Sequence, residues 1–205
     1  MIRFLYMSYL IVVSHYKENL DWLKSFEKDK ILVYDKNNET TEYHTVNIPN
    51  LGRESNTYLK YILDFYDNLP EFVVFMQGKD DHLSVENIKH FLKKMELFPL
   101  RKIEGHLVIF DKSGLGFNKE YRITKYKGQT LVPAESDFMT WFKTYIRSEF
   151  PSYFCVIWGA CFIVRREAIR SKPVEYYFKL YQQTTVGEAV EVGHFFERSW
   201  YYIFT

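Results

Sequence analysis

The run Phe72-Val-Val-Phe-Met76 is apolar at every position and then stops, giving way to Gln77-Gly-Lys-Asp-Asp-His82. It reads as a buried strand that ends in a knot of polar and acidic groups. A second polar cluster, Asn50-Leu-Gly-Arg-Glu-Ser55, lies one helix length upstream. In open α/β sheets the crevice beyond the carboxyl ends of the strands binds ligands, because loops there vary while the sheet holds them. Both clusters are therefore expected at one site.

Other short β-branched runs, Leu10 to Val13 and Ile31 to Tyr34, flank a segment with Trp22, Leu23 and Phe26 on one helical face, which predicts a βαβ unit. Tyr58, Tyr61, Ile62 and Phe65 follow the spacing of a core-facing helix that Pro70 ends. Ser84 offers an N-cap for a helix through Ile88, Phe91, Leu92 and Met95, and His106 to Phe110 reads as a strand. From Lys112 to Pro133 the pattern loosens around Gly114, Gly116 and Gly128, predicting a loop or hairpin excursion of functional length. Ser136 is the expected cap of a helix through Phe138, Trp141, Phe142 and Tyr145. A strand over Ala160 to Val164, a short helix from Glu167, a helix from Pro173 and a last helix over Glu188 to Phe204 complete the chain. The fold class expected is α/β, with a mixed, mainly parallel sheet flanked by helices in a single domain over residues 1–205.

A chain of 205 residues, 47% of them hydrophobic, buries roughly 70% of the surface its unfolded form exposes and needs no staple. Lys and Arg total 27 against 26 Asp and Glu, with no stretch of one sign, which disfavours nucleic-acid binding through a broad basic face. Cys155 and Cys161 would lie about 20 Å apart on an extended segment. They read as buried thiols of a reducing compartment, and a cytoplasmic location is expected. The apolar opening from Ile2 to Val13 contains Arg3 and falls short of the roughly 20 residues of a spanning helix, so a strand is expected there and no membrane span.

Several segments occur in a telling order: Val12-Val-Ser-His-Tyr-Lys-Glu-Asn-Leu-Asp-Trp-Leu23, Val33-Tyr-Asp-Lys36, Asn50 to Leu59, Tyr66-Asp-Asn-Leu-Pro70, Phe75-Met-Gln-Gly78, Trp158-Gly-Ala-Cys-Phe162 and Gly193 to Trp200. As an ordered set they resemble a family of uncharacterised proteins of fungi and large DNA viruses, and the chain is similar to the amino-terminal glycosyltransferase domain of a chlorovirus protein. The resemblance implies a GT-A-type, Rossmann-like fold, a UDP- or GDP-linked sugar donor, a glycan or glycoprotein acceptor, and Mn²⁺ or Mg²⁺.

The departing diphosphate of such a donor gains charge that something cationic must offset. In GT-A enzymes a carboxylate loop after a central strand commonly holds the metal. The matching loop here carries Asp80, Asp81 and His82, with adjacent rather than alternate carboxylates. Its alternative is an Asp–Asp turn before the Ser84 helix start. Asn50, Gly52, Arg53 and Glu54 suit the donor: Gly52 allows close approach, Arg53 offers a fork for phosphate, and Glu54 orients it or holds a hydroxyl. The competing reading is a helix start with a surface Arg–Glu pair.

His15, Tyr16 and Glu18 follow the first strand and Asp35 the second, where base and ribose would lie, and Gln77 and Gly78 close the third. Trp158 and Gly159 suit an acceptor sugar. Glu197 or Glu191 would deprotonate the acceptor in an inverting transfer, unless Glu197 pairs with an arginine, and His194 is an alternative metal ligand. His44, His90 and His106 read as surface or packing histidines. A glycosyltransferase is thus expected. An inert carbohydrate- or nucleotide-binding module is the alternative, and a metal-dependent phosphoesterase ranks third.

Overall fold

The computed structural model describes residues 6–39, 42–98, 100–111 and 122–205. Its centre is a six-stranded sheet of β1 (Tyr9–His15), β2 (Ile31–Asp35), β3 (His44–Asn47), β4 (Phe72–Gln77), β5 (Ile103–Asp111) and β8 (Tyr153–Arg165), in the order β3-β2-β1-β4-β8-β5. The pairs β3/β2, β2/β1 and β1/β4 are parallel, and β8 runs antiparallel to both β4 and β5. A separate hairpin joins β6 (Lys125–Tyr126) to β7 (Gln129–Thr130).

The apolar strands owe their lack of polar alternation to helices on both faces. Leu10 and Val12 of β1, with Val73 and Phe75 of β4, pack under α1 (Arg53–Phe65), α3 (Phe138–Tyr145), α5 (Val174–Gln182) and α6 (Glu191–Phe204). Ile11, Val13, Phe72, Val74 and Met76 pack on the other face against α2 (Val85–Leu97). A one-turn helix, α4 (Arg166–Arg170), follows β8. The side chain of Ser84 caps α2 by accepting from the Asn87 N–H at 3.3 Å.

Four local expectations change. The Trp22 segment forms a 3-10 turn, Asp21–Ser25, because the Trp22 indole donates to the Gly78 carbonyl at 2.9 Å and pins it across the sheet end. Asp137, not Ser136, caps α3, accepting from the Thr140 N–H at 3.1 Å. The last helix starts at Glu191 rather than Glu188. The strand expected over Ala160 to Val164 is the second half of a 13-residue β8. Cys155 and Cys161, on that one strand, are both free. Of the expected Lys112 to Pro133 excursion, Gly114 and Gly116 lie outside the described residues, while Gly128 turns the β6–β7 hairpin at φ 79°. Among the described residues no helix is long and apolar enough to cross a membrane.

Candidate functional site

The chain leaves β1 for β2 on one side and returns to β4 on the other, so a crevice opens at the carboxyl ends of β1 and β4. A compartment of about 230 Å³ fills it. Seven of the residues expected at the donor line it: His15, Tyr16, Glu18, Asn50, Arg53, Glu54 and Gln77. Five further residues, among them Lys36, Gln129 and Glu188, complete its wall. His15 is oriented from behind, its Nδ1 lying 3.1 Å from the Asp35 carboxylate and its Nε2 3.1 Å from the Glu18 carbonyl oxygen. The Glu18 carboxylate accepts from the N–H groups of Tyr16 at 2.8 Å and Lys17 at 3.2 Å.

Lys36 was not anticipated. It is only 6% exposed, and its ammonium donates to the carbonyl oxygens of Leu51, at 2.6 Å, and Arg53. Those carbonyls are aimed by an unusual start to α1, where Gly52 and Arg53 both take left-handed backbone angles, φ 56° and 52°. Gly52 must be glycine, since a Cβ would sit 2.3 Å from the Thr184 carbonyl oxygen. Burial pulls the Lys36 pKa down to about 8, while Glu54, Glu188 and Glu18 act in the opposite sense. Burial also raises the Glu54 carboxyl above its ordinary range, with the charge of Glu197 adding to it.

A second compartment, about 570 Å³, adjoins the first and holds Asp81, His82, Trp158, Gly159, His194 and Glu197 together with His106, Ile123, Tyr126 and Arg198. A bulge in β8 builds its floor. Gly105 pairs with Phe162 and Leu107 with Ile157, so His106 faces four residues, 158–161. There Gly159 (φ 71°) and Ala160 (φ 51°) bend the strand, and a Cβ on Gly159 would meet the His82 ring at 2.2 Å. The Gly159 N–H donates to the Glu197 carboxylate at 3.1 Å and its carbonyl accepts from the Gln77 amide at 2.6 Å. Gln77 belongs to the smaller compartment and Gly159 to the larger, so this hydrogen bond joins the two. Arg53 stacks over Tyr126 at 4.9 Å on the same boundary.

The remaining expected residues have other places. Asp35 is fully buried behind His15, which it orients, also accepts from the Asn37 N–H at 2.9 Å, and lines neither compartment. Gly52 packs on Thr184 and Gly78 on the Glu18 side chain, both outside the lining. Asp80 lines neither compartment. Glu191 is fully buried, its carboxylate accepting from Arg122 Nε (3.0 Å) and Nη2 (2.8 Å) and from the N–H groups of Ile123 and Ala134 (both 2.8 Å). With its acceptor sites filled it is no general base. His106, expected to be surface or packing, is exposed in the cleft wall. Its only sequence signal is the strand it sits on.

Among the described residues no three His, Cys, Asp or Glu side chains gather to hold a metal ion. Asp81 and His82 pair at 3.9 Å. His194 lies beside Arg53 and Arg198, whose charges oppose a bound cation.

Burial, then Arg53 and Arg198, lower the His194 pKa to about 4 from the usual 6.5. Between those values the unfolded chain binds a proton that the native state refuses. The stability this group contributes above pH 6.5 is therefore expected to fall as pH drops through the window, by about 3 kcal/mol at most and less where solvent screens the ring. Urea titrations at pH 7 and pH 4.5 should show a smaller acid loss for His194→Gln than for the wild type. Equal losses would show that His194 carries no such burden.

Residues 10–205 match the family described as "Protein of unknown function (DUF3431)". No curated protein matches the sequence. A solved structure described as that of CMP:2-keto-3-deoxy-manno-octonic acid synthetase complexed with CTP is similar over 85% of this chain and 83% of that chain, with 8% sequence identity and a TM-score of 0.43.

Proposed function

We propose that this chain, which belongs to the DUF3431 family of proteins of unknown function, is a glycosyltransferase that moves a sugar from a nucleotide-diphosphate donor to a glycan hydroxyl. The observation that carries the reading is the pair of joined compartments at the switch point of the sheet. The smaller bears a phosphate-capable arginine and hydroxyl-binding carboxylates, and the larger bears an aromatic face and a carboxylate.

In this reading Tyr16 stacks on the base and Glu18 accepts from ribose hydroxyls. Arg53 binds the diphosphate through charge-assisted hydrogen bonds. The anomeric carbon lies at the boundary, beside Gln77 and Gly159. The acceptor occupies the larger compartment against Trp158. Its hydroxyl gives its proton to Glu197 as the oxygen attacks the anomeric carbon, and the electron pair of the breaking C–O bond leaves with the diphosphate. Asp81 and His82 edge the acceptor side. Among the described residues no third His, Cys, Asp or Glu joins them; a divalent ion there would draw its remaining ligands from the donor's phosphates and water, and no step is assigned to it.

A thermal-shift panel of UDP- and GDP-sugars, each with EDTA and with Mn²⁺, tests the reading, because a ligand bound only by the native state raises its melting temperature. At least one donor is expected to stabilise the protein in EDTA and to be hydrolysed or transferred. Stabilisation only with Mn²⁺ would return the charge-offsetting role to a metal. Binding without hydrolysis or transfer would mark an inert binding module, and no binding at all would sink the proposal.

A further inference from the structure

The smaller compartment contains a buried cation whose place in the fold exceeds its structural need. Lys36 immediately follows β2, and the strand phase that turns Asp35 inward behind His15 delivers Lys36 to the cavity wall. Two of its three N–H bonds end on the carbonyl oxygens of Leu51 and Arg53. Among the described residues no carboxylate lies within ion-pairing distance of it, although Glu18, Glu54 and Glu188 line the same space, with Arg53 and His15. A charge removed from water and left without a counter-ion costs stability that a bound anion would return.

We propose that Lys36 is the anchor of the compartment for an anion, and that the anion is the diphosphate diester of the donor, held between the third N–H of Lys36 and the guanidinium of Arg53. The choice of diphosphate rests on the glycosyltransferase reading; the anion site itself does not. The surrounding carboxylates, Glu18, Glu54 and Glu188, can accept from the hydroxyls on either side of a sugar-nucleotide diphosphate. Burial holds the Lys36 pKa down at about 8 even though Glu54, Glu188 and Glu18 pull it upward.

The test is calorimetric titration with P1,P2-dimethyl diphosphate, a diester whose charge is constant between about pH 7.5 and 9.5, so that only the protein titrates. Wild-type affinity should fall roughly tenfold or more across that range as Lys36 loses its proton. Lys36→Arg cannot deprotonate there and should bind with a flat profile. Lys36→Met, checked for native circular dichroism, should lose binding at both pH values. A flat wild-type profile overturns the assignment. So does a fall as steep in Lys36→Arg as in the wild type, or wild-type affinity in a folded Lys36→Met. If either variant fails to fold, the wild-type profile alone decides. Diester binding with this profile but without sugar transfer would retire the glycosyltransferase reading and leave the anion site, whereas transfer with a flat profile would do the reverse.

Discussion

Glu197→Gln is expected to bind donor as the wild type does and to transfer sugar more slowly by a factor of about 10²–10⁴, the usual contribution of a positioned general base. Glu197 stands on α6, which Phe196, Trp200 and Phe204 lock into the core. One oxygen is held by the Gly159 N–H at 3.1 Å, and the other lies 3.9 Å from Arg198. The side chain keeps 23% of its surface exposed, toward the larger compartment. Glutamine has the same shape and can still accept from Gly159, so the bulge and the Gln77 contact should persist. What it loses is the ability to take the acceptor's proton. Donor binding by thermal shift and product formation by chromatography separate the two properties. Transfer at near wild-type rate would remove Glu197 from the chemistry, and loss of donor binding would mark it as structural.

Replacing Glu191 with alanine should cost about 1–3 kcal/mol of stability, the penalty for leaving a buried hydrogen-bonding group unsatisfied, because the partner Arg122 is 38% exposed and can return to water. The carboxylate clasps residues 122–134 at both ends, holding Arg122 and Ile123 on one side and Ala134 on the other. Beside it, Val132 donates to the Ala189 carbonyl at 2.7 Å and accepts from the Glu191 N–H at 2.9 Å. The excursion supplies Gln129 to the smaller compartment and Ile123 and Tyr126 to the larger. In Glu191→Ala the Ile123 and Ala134 N–H groups lose their acceptor, and the walls of both compartments lose their tether. Urea unfolding should show a lower midpoint, together with weaker ligand-induced stabilisation than in the wild type. Wild-type stability in this variant would show that the clasp contributes nothing.

Much of the site was legible because its parts lie at the ends of locally encoded elements. The apolar run Phe72 to Met76, the spacing from Tyr58 to Phe65 and the Ser84 cap are short-range signals, and each formed the element expected of it. Once β1, β2 and β4 are strands of one sheet, His15, Tyr16, Glu18 and Gln77 have to emerge together at its carboxyl edge. Asn50, Arg53 and Glu54 arrive there because α1 begins where the chain re-enters the sheet layer. Asp35 and Lys36 differ in phase: successive residues of an extended chain point to opposite faces, so the carboxylate lies buried behind His15 and the lysine on the cavity wall.

The sequence by itself determined the α/β character, the short parallel strands and the side of the sheet on which polar chemistry gathers, since hydrophobic periodicity and capping are properties of neighbouring residues. Tertiary structure alone decided what each polar residue does. Glu191 resembled Glu197 as an acidic residue of the last helix, and only the approach of Arg122, 69 residues away, filled its acceptor sites. Trp158 and Gly159 entered the cleft because β8 was inserted antiparallel between β4 and β5 and bulged against His106. Lys36 became a buried cation because two left-handed residues at the start of a different element turned their carbonyls toward it. A side chain's charge is written in the sequence, but its desolvation and its partners depend on contacts between segments far apart along the chain, which local pattern does not encode.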